Sequence, residues 1–156
     1  MGTETASSKW EGKHVAQVNG VTTEKVWSVF SDFCNIQEWF PALDTCYRVQ
    51  GTDGEPGLIR YVAATKTKEE TSWAKERLVK IDPIERCLSY EVIENNMGFR
   101  SYVATVKVMP VDGQDQVSQI EWSFVADPVD GWKKEDLDSY IDFILQHIAK
   151  KMELNL

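Results

Sequence analysis

Histidine is nearly absent from this chain. His14 and His147 are the only two, and neither has neighbours at metal-ligand spacing, so no metal is expected. Cysteine is scarce as well. Cys34, Cys46 and Cys87 are odd in number and widely spaced, with no Cys-x-x-Cys. That argues against a disulfide framework or a zinc site and for buried free thiols in a reducing compartment. Positive charge is in deficit: 17 Lys and Arg against 25 Asp and Glu leave a net charge of −8. Such a surface is repelled by phosphate backbones and anionic lipid, so neither a nucleic-acid partner nor membrane association is expected. No apolar run approaches membrane-spanning length. Met1 to Lys9 has no apolar core, so a secretory signal is not expected. Ala6 stands where a Met-Gly myristoylation signal requires Ser or Thr. A Gly-x-Ser-x-Gly elbow and a phosphate loop ending in Gly-Lys-Ser/Thr are both missing. The expectation is a cytoplasmic protein without a cofactor and with no evident protein partner.

What is present suits one well-filled domain. Hydrophobic residues make up 42% of the 156 and aromatics 11%, with 6 Trp. A domain of this size buries roughly 70% of its unfolded surface. Residues 1–8 are small and polar and read as a loose tail, leaving residues 9–156 as a single domain.

Alternation and turn chemistry give seven strands: Lys9–Val18, Asp44–Gly51, Leu58–Lys66, Glu70–Ile81, Cys87–Ile93, Phe99–Met109 and Val117–Val125. Thr22 or Thr23, followed by Glu24, caps a short helix after the first strand. Asn35 and Glu38 suggest a second one that Pro41 stops. The clearest element is last. Leu137, Tyr140, Ile141, Ile144, Leu145, Ile148 and Met152 recur at helical spacing, with acidic residues at the start and Lys150 and Lys151 near the end. That stripe needs a surface to cover, and the sheet is the only large one. The order predicts an α+β fold: a curved antiparallel sheet wrapped around a long C-terminal helix, with a small, mostly apolar molecule held between them.

Alternation also sorts the faces. Leu88, Tyr90 and Val92 point inward, as do Tyr102, Ala104, Val106 and Val108, and Ile120, Trp122 and Phe124. Two charges break the apolar pattern. Arg60 shares a face with Leu58, Val62 and Ala64, and Glu76 with Ala74 and Leu78. A hairpin turning at Thr67-Lys68-Glu69 would set Arg60 opposite Glu76, with Cβ atoms ~5 Å apart. Three readings stay open: a structural ion pair, an outward-facing pair, or a charged pair in a ligand cavity. Burying two ions costs several kcal/mol each, so an inward pair makes most sense where a polar ligand group uses it.

Lys9-Trp-Glu-Gly12, Gly57-Leu-Ile-Arg-Tyr61, Trp73-Ala-Lys-Glu-Arg-Leu78, Leu88-Ser-Tyr90, Tyr102-Val-Ala-Thr105 and Trp122-Ser-Phe124 together resemble the plant lachrymatory factor synthase family. This group lies within the START-like, birch-pollen-allergen-like superfamily, labelled polyketide cyclase/dehydrase and lipid transport. The similarity runs from about Lys9 to Leu145. It implies a helix-grip fold around a hydrophobic cavity. It also implies that a catalytic Arg and Glu fall on Arg60 and Glu76, and that pocket aromatics fall on Tyr102 and Trp122. In the implied reaction Glu76 takes the proton of a sulfenic acid and Arg60 stabilises the sulfur-bound oxygen, giving a thial S-oxide. The chain departs from the family at Val92, where the pattern has another tyrosine. The more distant abscisic acid receptors share Glu76-Arg-Leu78, but their gate and latch motifs are missing here, so a hormone receptor is not expected.

Two functions therefore compete. One is a carrier or sensor whose ligand contacts Arg60, Glu76, Tyr90, Val92, Tyr102, Trp122, Ile144 and Ile148. The other is an isomerase using Arg60, Glu76 and Tyr102. An interaction module with a vestigial pocket is a third and weaker reading.

Overall fold

A computed structural model describes residues 8–156 of the chain; the expected tail, apart from Ser8, lies outside the described residues. Seven strands form one antiparallel sheet: β1 (Trp10–Asn19), β2 (Thr45–Gln50), β3 (Ile59–Thr67), β4 (Glu70–Asp82), β5 (Cys87–Asn95), β6 (Val103–Val111) and β7 (Gln114–Ala126). Their order is β1-β7-β6-β5-β4-β3-β2. Consecutive hairpins build the meander from β2 to β7, and β1 closes against β7 along ten residue pairs from Trp10↔Ala126 to Asn19↔Val117.

Helix α1 (Thr23–Ser31) follows β1. Thr22 is its N-cap, and its hydroxyl accepts from the Lys25 amide at 3.4 Å. Its buried side chains are Val26, Trp27, Val29 and Phe30. The second expected helix is only a 3-10 turn, Ile36–Glu38. Asn35 makes no side-chain cap there; its amide donates instead to Asp32 Oδ1 at 2.9 Å.

The long helix α2 runs over Lys134–Asn155. Asp136 Oδ2 accepts from the Lys133 amide at 2.8 Å and closes its N-terminus. The helix continues beyond Lys150 and Lys151, so its last turn carries no base, and the expected dipole complement at that end is absent. Lys151 Nζ instead donates to the Glu38 carbonyl, tying α2 to the 3-10 turn. Leu137, Ile141, Leu145, Ile148 and Met152 are all buried against the sheet, which is where the 3–4 stripe places them.

β1 approaches α2 closely, and Gly12 permits it. A Cβ at this position would stand 2.3 Å from Asp138 Oδ1 and 2.5 Å from the Phe124 ring. Beyond it, His14 Nε2 meets Asp138 Oδ1 at 2.9 Å, a further stitch between β1 and α2.

Two expectations change in detail. The sixth strand starts at Val103 and not at Phe99. Asn95 Oδ1 accepts from the amides of Met97 and Phe99, and Ser101 has a φ of 54°, so residues 97–101 turn rather than extend. The three thiols are free but partly exposed, not buried.

Candidate functional site

The β3–β4 register sets Arg60 directly opposite Glu76. Both side chains turn inward, and Arg60 is buried (3% exposed). Its Nε and Nη2 each donate to Glu76 Oε1 at 2.8 Å. Nη1 donates to the Phe33 carbonyl at 2.8 Å. The guanidinium also packs against two rings, its central carbon 3.7 Å from the Phe33 centroid and 4.9 Å from that of Tyr90. A planar guanidinium held by three hydrogen bonds and packed on aromatic rings is fixed in orientation, which is where Arg differs from Lys.

A bulge lies opposite. Lys75 pairs with Glu94 and Glu76 with Val92, so Ile93 is the extra residue on β5. Bulges bend a strand and re-aim side chains. This one sits where Glu76 and Val92 face the interior.

Inside the curve is a pocket of about 110 Å³. The sheet supplies Val62 and Ala64 from β3, Ser72, Ala74 and Glu76 from β4, Tyr90 and Val92 from β5, and Trp122 from β7. Tyr102, just ahead of β6, and Met97 and Phe99 close one side. Ile36 and Phe40 to Leu43 close another, and Tyr140, Ile141 and Ile144 of α2 form the roof. Among the described residues that line it, Glu76 is the only charged one.

The structure therefore gathers Glu76, Tyr90, Val92, Tyr102, Trp122 and Ile144 around one space. It does not bring Arg60 or Ile148 to the wall. Arg60 lies behind Glu76, under the Phe33 and Tyr90 rings. Ile148 is fully buried one turn further along α2, within the core. The Pro41–Leu43 segment, Met97, Phe99 and Tyr140 are not among the ligand contacts expected from sequence. Most come from irregular segments, where no period marks an inward face, and Tyr140 alone sat on a legible stripe.

The polar end of the pocket has a definite electrostatic character. The phenol pKa of Tyr90 is raised well above its ordinary value, first by burial, then by Tyr102 and Glu76. That of Tyr102 is raised chiefly by burial; the nearby Trp122 N–H pulls the other way and Glu76 adds to the rise. Trp122 Nε1 itself is buried without a hydrogen-bond partner among the described residues, so it approaches the Tyr102 hydroxyl without bonding to it. Tyr140 is 44% exposed, yet its pKa is also raised, by burial and then by Glu76. Three protonated phenols thus surround one carboxylate. Among the described residues, Glu76 Oε1 takes both Arg60 bonds and Oε2 takes none.

No group of three or more His, Cys, Asp or Glu that could hold a metal occurs among the described residues. Among the described residues, no helix is long and apolar enough to cross a membrane.

A seven-stranded sheet gripping a C-terminal helix over an internal pocket defines a helix-grip protein. The chain belongs to the family described as polyketide cyclase/dehydrase and lipid transport, whose pattern matches residues 9–153. Solved structures share the architecture. An uncharacterised protein from Bacillus thuringiensis superposes with a TM-score of 0.75 at 20% identity, over 93% of this chain and 99% of that one. Ginseng major latex-like protein 151 from Panax ginseng gives 0.72 at 22% identity, over 93% and 97%. The protein XoxI from Bacillus cereus gives 0.73 at 20% identity, over 92% and 93%. At such identities the likeness is one of fold.

Proposed function

We propose that this protein binds a small, mostly apolar molecule with a polar head in the pocket beneath α2, as a cytoplasmic carrier or sensor. The observation that carries this reading is an apolar-walled space whose only charged lining residue, among the described residues, is a carboxylate with one oxygen that accepts no bond from them. Pockets built this way, apolar with a few convergent polar groups, are the usual form of small-molecule sites. Glu76, Tyr90, Tyr102 and Trp122 would meet the head, and Val92 and Ile144 the apolar body. Arg60 would act through Glu76 rather than on the ligand, and Ile148 would support the roof from the core.

Size narrows the reading. Typical ligand pockets hold ~300–1,000 Å³, and an apolar cavity of about 150 Å³ accepts benzene. A space of about 110 Å³ suits a one-ring or similarly compact molecule and not an acyl chain. Native mass spectrometry of protein purified from its source tests the proposal. A bound mass of a compact organic molecule is expected; protein that arrives empty and takes up no compact ligand would overturn it.

A second reading has its own support. A carboxylate oxygen open to the pocket and a protonated phenol nearby are the parts of a proton transfer, as in the isomerase of the lachrymatory factor synthase family. Supplying enzymatically generated 1-propenyl sulfenic acid decides between the two. Thial S-oxide formed by the wild type and lost in Glu76→Gln would favour the enzyme, and no product would remove it.

A further inference from the structure

We infer that the pocket selects a neutral ligand whose head donates a hydrogen bond, such as a hydroxyl, and rejects both anions and heads that only accept. The inference rests on the binding reading above and goes past it to the chemistry of the head.

A guanidinium facing a carboxylate can engage both oxygens in a parallel fork. Here Nε and Nη2 converge on Oε1 alone, and Nη1 is taken by the Phe33 carbonyl. The rings of Phe33 and Tyr90 lie beside the guanidinium, their centroids 3.7 Å and 4.9 Å from its central carbon. Three of its five N–H donors are thus taken by Glu76 and Phe33, and Arg60 is not on the cavity wall. A ligand therefore meets the acceptor half of the pair without the donor half.

An ionised carboxylate is acceptor-only. A ligand carboxylate or phosphate would face Glu76 with no cation among the described lining residues to balance it. A carbonyl or ether head would leave Oε2 without a donor, and a buried acceptor left unsatisfied carries a desolvation penalty. A hydroxyl fits: its proton goes to Oε2, and its oxygen can accept from a phenol. Tyr90, Tyr102 and Tyr140 supply such donors because their phenols stay protonated next to Glu76. Sites built to pair with a ligand hydroxyl discriminate sharply against analogues lacking it, because their own polar groups are then left unpaired.

The test uses four one-ring probes against the wild-type chain: phenol, benzaldehyde, benzoate and benzene. Titrations follow the Trp122 indole N–H in ¹⁵N-labelled protein, which places any binding at this pocket. Phenol is expected to bind at least tenfold tighter than benzaldehyde or benzene, a gap of about 1.4 kcal/mol, with benzoate giving no shift. Benzoate or benzaldehyde binding within threefold of phenol would overturn the inference while leaving the binding reading intact. If none of the four moves the Trp122 signal, the binding reading fails and the inference with it. A charge-removed variant, Glu76→Gln, supplies the second arm where it folds. Its amide can donate as well as accept, so the preference for phenol over benzaldehyde should fall by at least threefold; a preference unchanged in a folded variant would overturn the role given to Glu76.

Discussion

Replacing Arg60 by methionine gives the sharpest test of the pair behind the pocket. The substitution keeps most of the side-chain volume and deletes the guanidinium. Two bonds of 2.8 Å to Glu76 Oε1 and one of 2.8 Å to the Phe33 carbonyl disappear. What remains is a carboxylate only 12% exposed, with no counter-charge. Removing one partner of a buried pair costs ~3–5 kcal/mol. The orphaned Phe33 carbonyl pushes the loss toward the upper end, its other neighbour being the Cys46 thiol at 4.0 Å. Since whole domains are stable by only about 5–15 kcal/mol, Arg60→Met should remove a large share. Arg60→Met combined with Glu76→Leu should recover most of it, because well-packed apolar residues of similar volume often replace a buried pair at no loss. The assay is urea unfolding followed by tryptophan fluorescence and far-ultraviolet circular dichroism, extrapolated to water. A coupling energy above about 2 kcal/mol is expected between the two substitutions. A loss under ~1 kcal/mol in Arg60→Met is what an exposed pair would give, and single effects that add within about 0.5 kcal/mol mean no coupling. Either result would refute the buried, mutually dependent pair.

Three further outcomes follow from the geometry. Gly12→Ala should destabilise the fold by about 1–3 kcal/mol in the same assay, since its Cβ would collide with the Phe124 ring and Asp138; an effect near zero would mean β1 moves freely off α2. Ala42 lines the pocket with a φ of 73°, a left-handed conformation that costs an L-residue ~1–2 kcal/mol, so Ala42→Gly should gain up to about 1 kcal/mol after the entropy cost of glycine, with a loss refuting strain at this site. Alkaline pH should weaken the protein. The folded-state pKa values of Tyr90 and Tyr102 lie above the unfolded value, and partial burial pushes Cys34 up to about 11 and raises Cys46. The native chain then holds protons that the unfolded chain releases, so stability is full below pH ~9 and falls as pH rises through 9 to 11 and beyond. Urea midpoints across that range, and absorbance at 295 nm with Tyr90→Phe/Tyr102→Phe as reference, check it; a flat profile would refute it.

The parts of the fold legible in the sequence are those governed by a period or a short turn. The α2 stripe was readable because residues three and four apart must share a face. The opposition of Arg60 and Glu76 was readable from a turn centred on Lys68; the β3–β4 hairpin closes instead on Lys68-Glu69 with Thr67 paired to Glu70, which alone would set Arg60 against Arg77, and an extra residue at Lys66, between Thr65 and Thr67, restores the pairing. Alternation gives a face but not a depth. It turned Arg60 inward without revealing that Phe33, from the far side of α1, would cap it and keep it off the wall. It also extended the sixth strand back to Phe99, since nothing periodic announces that the Asn95 side chain will gather the amides of Met97 and Phe99 into a turn. The mouth around Pro41–Leu43 was illegible for the same reason: an irregular segment is placed by its neighbours, not by its own pattern.

The same geometry weighs the two functions against each other. Both need Glu76 Oε2 open to the pocket, and both gain from Arg60 holding the carboxylate still. They part at the return of the proton. A rearrangement must give a proton back to carbon, and a general acid works best with a pKa near the working pH. The phenol that would serve, Tyr102, is pushed strongly upward by burial and further by Glu76. A phenol in that state keeps its proton, which makes it a poor acid at neutral pH and a dependable hydrogen-bond donor to a resident hydroxyl. Tyr140 on α2, also raised by burial and Glu76, offers a second donor from the opposite wall. A carboxylate fixed from behind, with donors that hold on to their protons, is arranged for holding a ligand more than for moving its hydrogens, and Tyr102→Phe should accordingly weaken phenol binding severalfold.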